Sequence, residues 1–176
     1  AQLKTGHIEA GYDNDPDDNG GETVFGLTRR DWPHWAGWAV IDHLKAQYGL
    51  AKAIPIINAN VQLKSSAVAL FKVNYWDVNR LSEINDQQVA NQIYDADINQ
   101  GVGMGAKFLQ EAAGVTVDLH VGNETLKAVN AANPKDIYNK IIALRKARYD
   151  AIIAANPPQI KFKASWYSRI SKPYQA

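Results

Sequence analysis

Residues 11–26 carry Asn14, Asp15-Pro16 and Asn19-Gly20-Gly21 within one short stretch. Turn formers at that density stop a helix and force the chain to reverse, and Asn-Gly between two segments is a strong hairpin signal. Thr23-Val24-Phe25 follows, β-branched and aromatic, and is expected to form the return strand of a small hairpin. Residues 1–9 suit a short helix. Thr28 is placed to cap a short helix from Arg29, limited by Pro33.

Beyond this stretch the apolar residues recur at helical spacing. Trp38, Ile41, Leu44 and Tyr48 predict a helix over 38–48, with Gly49 as its C-cap. A second is expected over 50–57, interrupted at Pro55, and a third over 61–76. Asp86 caps a helix to about Asn99, and Gly101-Val102-Gly103 breaks it. Another runs over 105–113 and ends at Gly114. Asn123 is expected to cap 124–132. Pro134 suits the first turn of a long helix to Ala155, with Ile137, Ile141, Leu144, Ala147 or Arg148, Ala151 and Ile152 on its apolar stripe. Pro157-Pro158 stops it. The fold class expected is mainly α, a helical bundle with one small N-terminal β-hairpin. A boundary near 81–86 divides it into residues 1–82, which carry the acidic loop, and a helical part over 83–176, packed as one compact unit.

At 176 residues and 46% hydrophobic content the chain can build a core. Its net charge of +1 argues for no nucleic-acid partner. The absence of cysteine excludes a disulfide framework, a thiol nucleophile and thiolate zinc sites. No apolar run is long enough to span a bilayer, so no stable membrane insertion is expected. No leader pattern is visible and the first residue is not Met. A leader already removed and export by another route both stay open. Lys140, Arg145, Lys146, Arg148, Lys161, Lys163, Arg169 and Lys172 make the last third basic. That pattern suits either a solvated helix face or approach to an anionic polymer.

The acids of the N-terminal loop admit two chemistries. Asp13, Asp15 and Asp17 alternate as in a calcium loop, but the sixth position is Asp18 instead of Gly and the twelfth is Val24 instead of Glu. No metal is expected, and these carboxylates suit Asx turns. Glu9 stands apart. It precedes Gly11, where the backbone can be closely approached, and Ile8, Tyr12 and Phe25 are available to desolvate its carboxyl. Asp18 lies opposite across the turn, and Thr23 offers a hydroxyl to hold a water. A fixed carboxylic acid, an opposing carboxylate and a held water are the groups that general-acid glycosidases use.

Tyr12 and Glu22 flank this loop and are candidates for sugar contact. Trp32, Trp35 and Trp38 are spaced for either a helix core or a cleft wall on which sugar rings stack, with Trp35 the candidate contact. Asn99 and Gln100, beside Gly101, suit either loop capping or binding of acetamido groups. Tyr75 and Trp76 read as core between the two parts. His7, His34, His43 and His120 share no spacing that suggests a site.

The run Glu9-Ala10-Gly11-Tyr12, then Asn14-Asp15-Pro16, Asp18, Gly20-Gly21-Glu22-Thr23 and Gly26-Leu27-Thr28-Arg29-Arg30, resembles the signature of the glycoside hydrolase family 108 muramidases. Tyr75-Trp76-Asp77 matches as well. Asp95, Asn99-Gln100-Gly101, Phe108-Leu109-Gln110, Gly114, Asp118, Gly122 and Thr125 resemble the peptidoglycan-binding domain usually fused to that family. The resemblance implies an α+β lysozyme-like fold, with a catalytic part over 1–82 and a peptidoglycan-binding part over 83–176. It implies hydrolysis of the β-1,4 bond between N-acetylmuramic acid and N-acetylglucosamine with no cofactor. Glu9 is the implied acid, and similarity to phage lysozymes that use a Glu, an Asp and a Thr in comparable order makes Asp18 and Thr23 the groups that orient water or stabilise the transition state. Tyr12, Glu22, Trp35, Asn99 and Gln100 stay the candidate substrate contacts read from the residues. Two departures stand out. Ala10 replaces a Gly of the signature, and residues 35–64 are longer than usual, as a lid, a partner surface or extra core. The implied partner is the glycan strand of peptidoglycan, met by a monomer in the periplasm or wall of a Gram-negative bacterium, for phage lysis or for wall remodelling and secretion. Competing readings are a lytic transglycosylase, a non-catalytic wall-binding or secretion-accessory module, and an effector whose 35–64 segment meets a secretion or immunity partner.

Overall fold

The computed structural model describes residues 11–14 and 21–175. The helix expected over 1–9, Glu9 and Asp18 all lie outside the described residues. The chain is mainly helical, with one two-stranded antiparallel sheet among the described residues, and divides between Lys72 and Val73 into two compact units.

In the first unit β1 (Thr23–Val24) pairs with β2 (Leu27–Thr28), and Asp13 bridges Thr23 on the other side. Thr23 therefore does return against the segment before the loop. The tight hairpin, however, turns at Phe25-Gly26, and its second strand lies where a helix cap was expected. Phe25 at φ 50 and Gly26 at φ 81 both take positive φ, as a two-residue hairpin turn requires. For a phenylalanine that conformation costs about 1–2 kcal/mol. Burying the ring, 2% exposed, is worth about 1.5–3 kcal/mol and offsets it. Thr28 does not start a helix. Its Oγ1 accepts from the Asp31 amide at 3.1 Å within a turn, and Pro33 has no N–H to continue one.

Among its described residues this unit also has three helices, α1 (Gly37–Tyr48), α2 (Leu50–Ala59) and α3 (Val61–Phe71). Gly49 separates α1 from α2, as expected, and α1 packs on both α2 and α3. Pro55 does not interrupt α2. Pro55 and Ala51, whose carbonyl the proline leaves without a helical donor, are both exposed, so solvent can serve that carbonyl. Asn60 caps α3 by accepting from the Leu63 amide at 3.0 Å. A π turn, Lys72–Trp76, follows α3.

The second unit is built from α4 (Gln87–Gln100), α5 (Val102–Ala113), α6 (Asn123–Ala131), α7 (Pro134–Ala155) and α8 (Lys163–Arg169). α4 packs on α5 and α7 around Trp76, Leu81, Ile93, Leu109, Ile137 and Ile141. Asp86 and Asn133 cap α4 and α7 through their side chains. Asn123 caps nothing; its Oδ1 accepts from Arg80 at 2.9 Å instead. α5 starts three residues earlier than its periodicity suggested, since Gly101 alone makes the break. The 3-10 helix Pro157–Phe162 and α8 were not foreseen; α8 packs on α7, with Trp166 stacked on Tyr149 at 5.2 Å.

The buried face of α7 also differs from its expected stripe. Ile137 and Ile141 are buried, but the core continues through Arg145 and Tyr149, while Leu144, Arg148 and Ile152 are only half-buried. Arg145, read from sequence as part of a basic surface, is fully buried. Its Nη1 donates to Gln92 Oε1 at 2.6 Å, and its Nη2 pairs with Asp95, which also takes Arg169 at 3.0 Å. Gln110 clasps the segment after α5. Its amide donates to Asp118 Oδ1 at 2.7 Å and to the His120 carbonyl at 3.0 Å, and its oxygen accepts from the Asp118 and Leu119 amides.

Asp97 is fully buried on α4, and Oδ1 accepts from Asn79 at 2.8 Å. Burial pushes its carboxyl well above the usual range, against the weaker pull of Asn79 and Arg145. The folded state thus holds a proton that the unfolded chain releases near its ordinary value of 3.8. This group supports folding at low pH, and the support is lost as pH rises through the folded pKa. Asn mimics the protonated acid, so Asp97→Asn should gain stability relative to wild type as pH rises from 4 to 8 in urea unfolding. Gly105→Ala should destabilise by at least about 1–3 kcal/mol, because its Cβ would sit 1.7 Å from Asp97 Oδ1.

Candidate active site

The loop that carries Asp18 is closed at its base by backbone. The Asp13 amide donates to the Thr23 carbonyl and the Thr23 amide to the Asp13 carbonyl, each at 2.8 Å. Tyr12, Glu22 and Thr23 are thereby brought to one place. The Thr23 hydroxyl donates to the Gly21 carbonyl at 3.0 Å, which leaves its lone pairs to accept from a water.

Glu22 ties this base to the rest of the unit. Oε1 accepts from the Tyr12 hydroxyl at 2.9 Å and from Lys45 Nζ at 2.6 Å, and Oε2 accepts from Arg29 Nε at 2.6 Å. Arg29 then meets Asp42 with both Nη atoms, at 2.9 and 2.6 Å, and lies over the Trp38 ring at 4.5 Å. Two cations and two carboxylates therefore interlock. Burial pushes the Glu22 carboxyl up, but hydrogen bonds from Lys45 and Tyr12 and the charges of Lys45 and Arg29 outweigh it and hold the group below its usual range. Burial and the Glu22 carboxylate together push the Tyr12 hydroxyl up to about 12. Tyr12 is thus a neutral donor at physiological pH, with its phenol already committed to Glu22.

The close approach expected at Gly11 is made by the protein itself. The Tyr12 amide donates to Asn58 Oδ1 at 2.7 Å, and a Cβ on Gly11 would lie 2.7 Å from that side chain. Asn58 comes from α2, and Asp42 and Lys45 from α1. Residues 35–64 therefore supply both core, through Ile41, Ala53 and Ile57, and the support of the loop base. Arg29, Asp42, Lys45 and Asn58 were not singled out in the sequence. Arg29 closes the N-terminal motif, but nothing local marks the other three.

Trp35 is 8% exposed, donates its indole N–H to Ser66 at 3.2 Å and meets Trp38 edge-on. It is a core side chain in this structure, with no open face for a sugar ring. Asn99 and Gln100 belong to the other unit. Asn99 donates to the Asp95 carbonyl of its own helix at 2.6 Å. Both polar atoms of the Gln100 side chain are buried without a hydrogen-bond partner. Among the described residues no helix is long and apolar enough to cross a membrane.

Comparison with known proteins gives three findings. Residues 4–101 match the family model described as Glycosyl hydrolase 108, and residues 104–171 match the one described as Predicted Peptidoglycan domain. The chain is similar to the solved structure of Brucella abortus SagA, with 26% identity over 93% of this chain and 83% of that one and a TM-score of 0.59. No curated protein matches it.

The sign of the Glu22 shift sets a stability prediction. Its pKa is depressed on folding, so its contribution is present above the ordinary value of 4.5 and is lost as pH falls through the folded value. Glu22→Gln should cost roughly 1.5–3 kcal/mol at pH 7, the worth of a hydrogen bond to a charged group, and the gap should narrow below about pH 4. Urea unfolding across pH measures both.

Proposed function

The chain belongs to the glycosyl hydrolase 108 family, and on that premise we propose that it is an N-acetylmuramidase. It is a glycoside hydrolase of the lysozyme type joined to a predicted peptidoglycan domain, and peptidoglycan is its substrate. The bond proposed to break is the β-1,4 link between N-acetylmuramic acid and N-acetylglucosamine within the glycan strand.

In this reading the Glu9 carboxyl gives its proton to the leaving glycosidic oxygen, and a water adds to the anomeric carbon. Asp18 accepts the proton of that water, or it stabilises the oxocarbenium-like transition state while the ionised Glu9 carboxylate takes that proton back, and Thr23 holds the water through its hydroxyl oxygen. The observation that carries the proposal is the pair of backbone bonds between Asp13 and Thr23, which anchors both ends of the Asp18 loop beside the Thr23 hydroxyl. The Glu22 network supports it, because a site that orients water needs a loop whose base does not move. Glu22 is assigned to that support, and Tyr12 is kept as the side chain beside the site that can offer a sugar its ring. The protein is proposed to act as a monomer in the periplasm or wall of a Gram-negative cell, in phage lysis or in wall remodelling and secretion; the two peptidoglycan-related family matches support action on the wall.

Mass spectrometry of peptidoglycan digested by wild type and by Glu9→Gln tests the proposal. Wild type should release products with reducing muramic-acid ends, and Glu9→Gln should be slower by about 10²- to 10⁴-fold, the usual worth of a general acid. Anhydro-muramic ends would instead identify a lytic transglycosylase. Equal rates would remove Glu9 from the mechanism.

A further inference from the structure

The half-buried stripe of α7 faces an open groove beside α5. The groove holds about 340 Å³ and is floored by Met104 and Phe108 from α5 and by Leu144 and Ile152 from α7. Its polar lining is Lys107, Glu111 and Arg148. Leu144, Arg148 and Ile152 are the residues at which the periodicity of α7 and its buried face part company, and they stay half-buried along the groove. Every residue of the groove lies within 104–171, the stretch matched by the predicted peptidoglycan domain.

We propose that this groove receives the peptide stem of peptidoglycan, a short chain that begins and ends on alanine and whose carboxylates outnumber its amino groups. The inference rests on the reading of the chain as a peptidoglycan hydrolase. Charge argues for the stem over the glycan. Glycan strands whose muramic carboxyls are joined to peptides carry no charge, so the anions of the polymer sit on its stems. The groove offers two cations against one carboxylate. Lys107 is held by Glu111 only at 3.7 Å, and Arg148 Nε is buried without any hydrogen-bond partner. A guanidinium that lines the groove with no ion pair among the described residues, beside an apolar floor, suits a carboxylate next to a methyl group. The volume lies within the range of small-ligand sites. The geometry thus assigns the two units different parts of one polymer: the bond to be cut and the stems that flank it.

The test is an NMR titration of the ¹⁵N-labelled full chain with the free stem tetrapeptide L-Ala-γ-D-Glu-meso-diaminopimelate-D-Ala, with the N-acetylglucosamine tetramer as the uncharged comparison. The tetrapeptide should shift amides over 104–111 and 144–155. Arg148→Ala should weaken it at least about tenfold, as expected for one lost charge-assisted hydrogen bond. Ala151→Trp fills the groove from an exposed position, where the larger side chain need not disturb the core, and should abolish the shifts. Unshifted groove amides, equal affinity in both variants, or shifts there from the tetramer instead would overturn the proposal. Digestion of the wall by wild type is scored separately, so loss of the groove assignment and loss of the muramidase reading are different results.

Discussion

Glu22 accepts from Tyr12, Lys45 and Arg29 at once, and the first unit is organised around that carboxylate. A carboxylate taken out of water must be matched by donors, and these come from three places in the chain: the segment before the acidic loop, the residue after β2, and α1. Meeting that requirement sets the direction in which the hairpin leaves the loop and the rotation of α1. Asp42 and the Trp38 ring then hold Arg29 from the far side. Asp13 and Thr23 are thus joined by two backbone bonds and held beside one ionic knot.

The second unit uses the same physics with the opposite sign. Arg145 is a buried cation matched by Gln92, Asp95 and Tyr149, and it joins α7 to α4. Asp97, one turn from that network on α4, is resolved differently: burial favours its protonated form, with Asn79 donating to it and Gly105 close beside it. Of two carboxylates on one helix, Asp95 has two guanidinium partners at contact distance, whereas burial raises the Asp97 carboxyl and favours its protonated form.

The helices were legible because their signals are local. Asp86, Pro134, Gly49 and Gly114 mark ends, and the 3.6-residue period marks faces, all within a few residues of the element concerned. Where a neighbour intervened, the reading failed. Thr28 looked like a helix cap and joined a strand because Phe25 and Gly26 turned the chain back on β1. Asn123 looked like a cap and was taken by Arg80, 43 residues away. Of the site, the family signature made Glu9, Asp18 and Thr23 nameable; the partners that support the loop base came only from the fold.

The sequence by itself determined a mainly helical chain, an acidic loop with Glu9 before it and Thr23 after it, and a resemblance that named the chemistry. Those follow from propensity, spacing and motif, which act over short stretches. The tertiary structure alone decided that Asn58 fills the space beside Gly11, that Glu22 supports the loop, that Trp35 is core, and that α7 buries Arg145 while leaving Arg148 and Ile152 at a groove. Each of these is settled by desolvated charge or close packing between residues far apart in sequence, 53 apart for Arg145 and Gln92, and no local pattern carries that information.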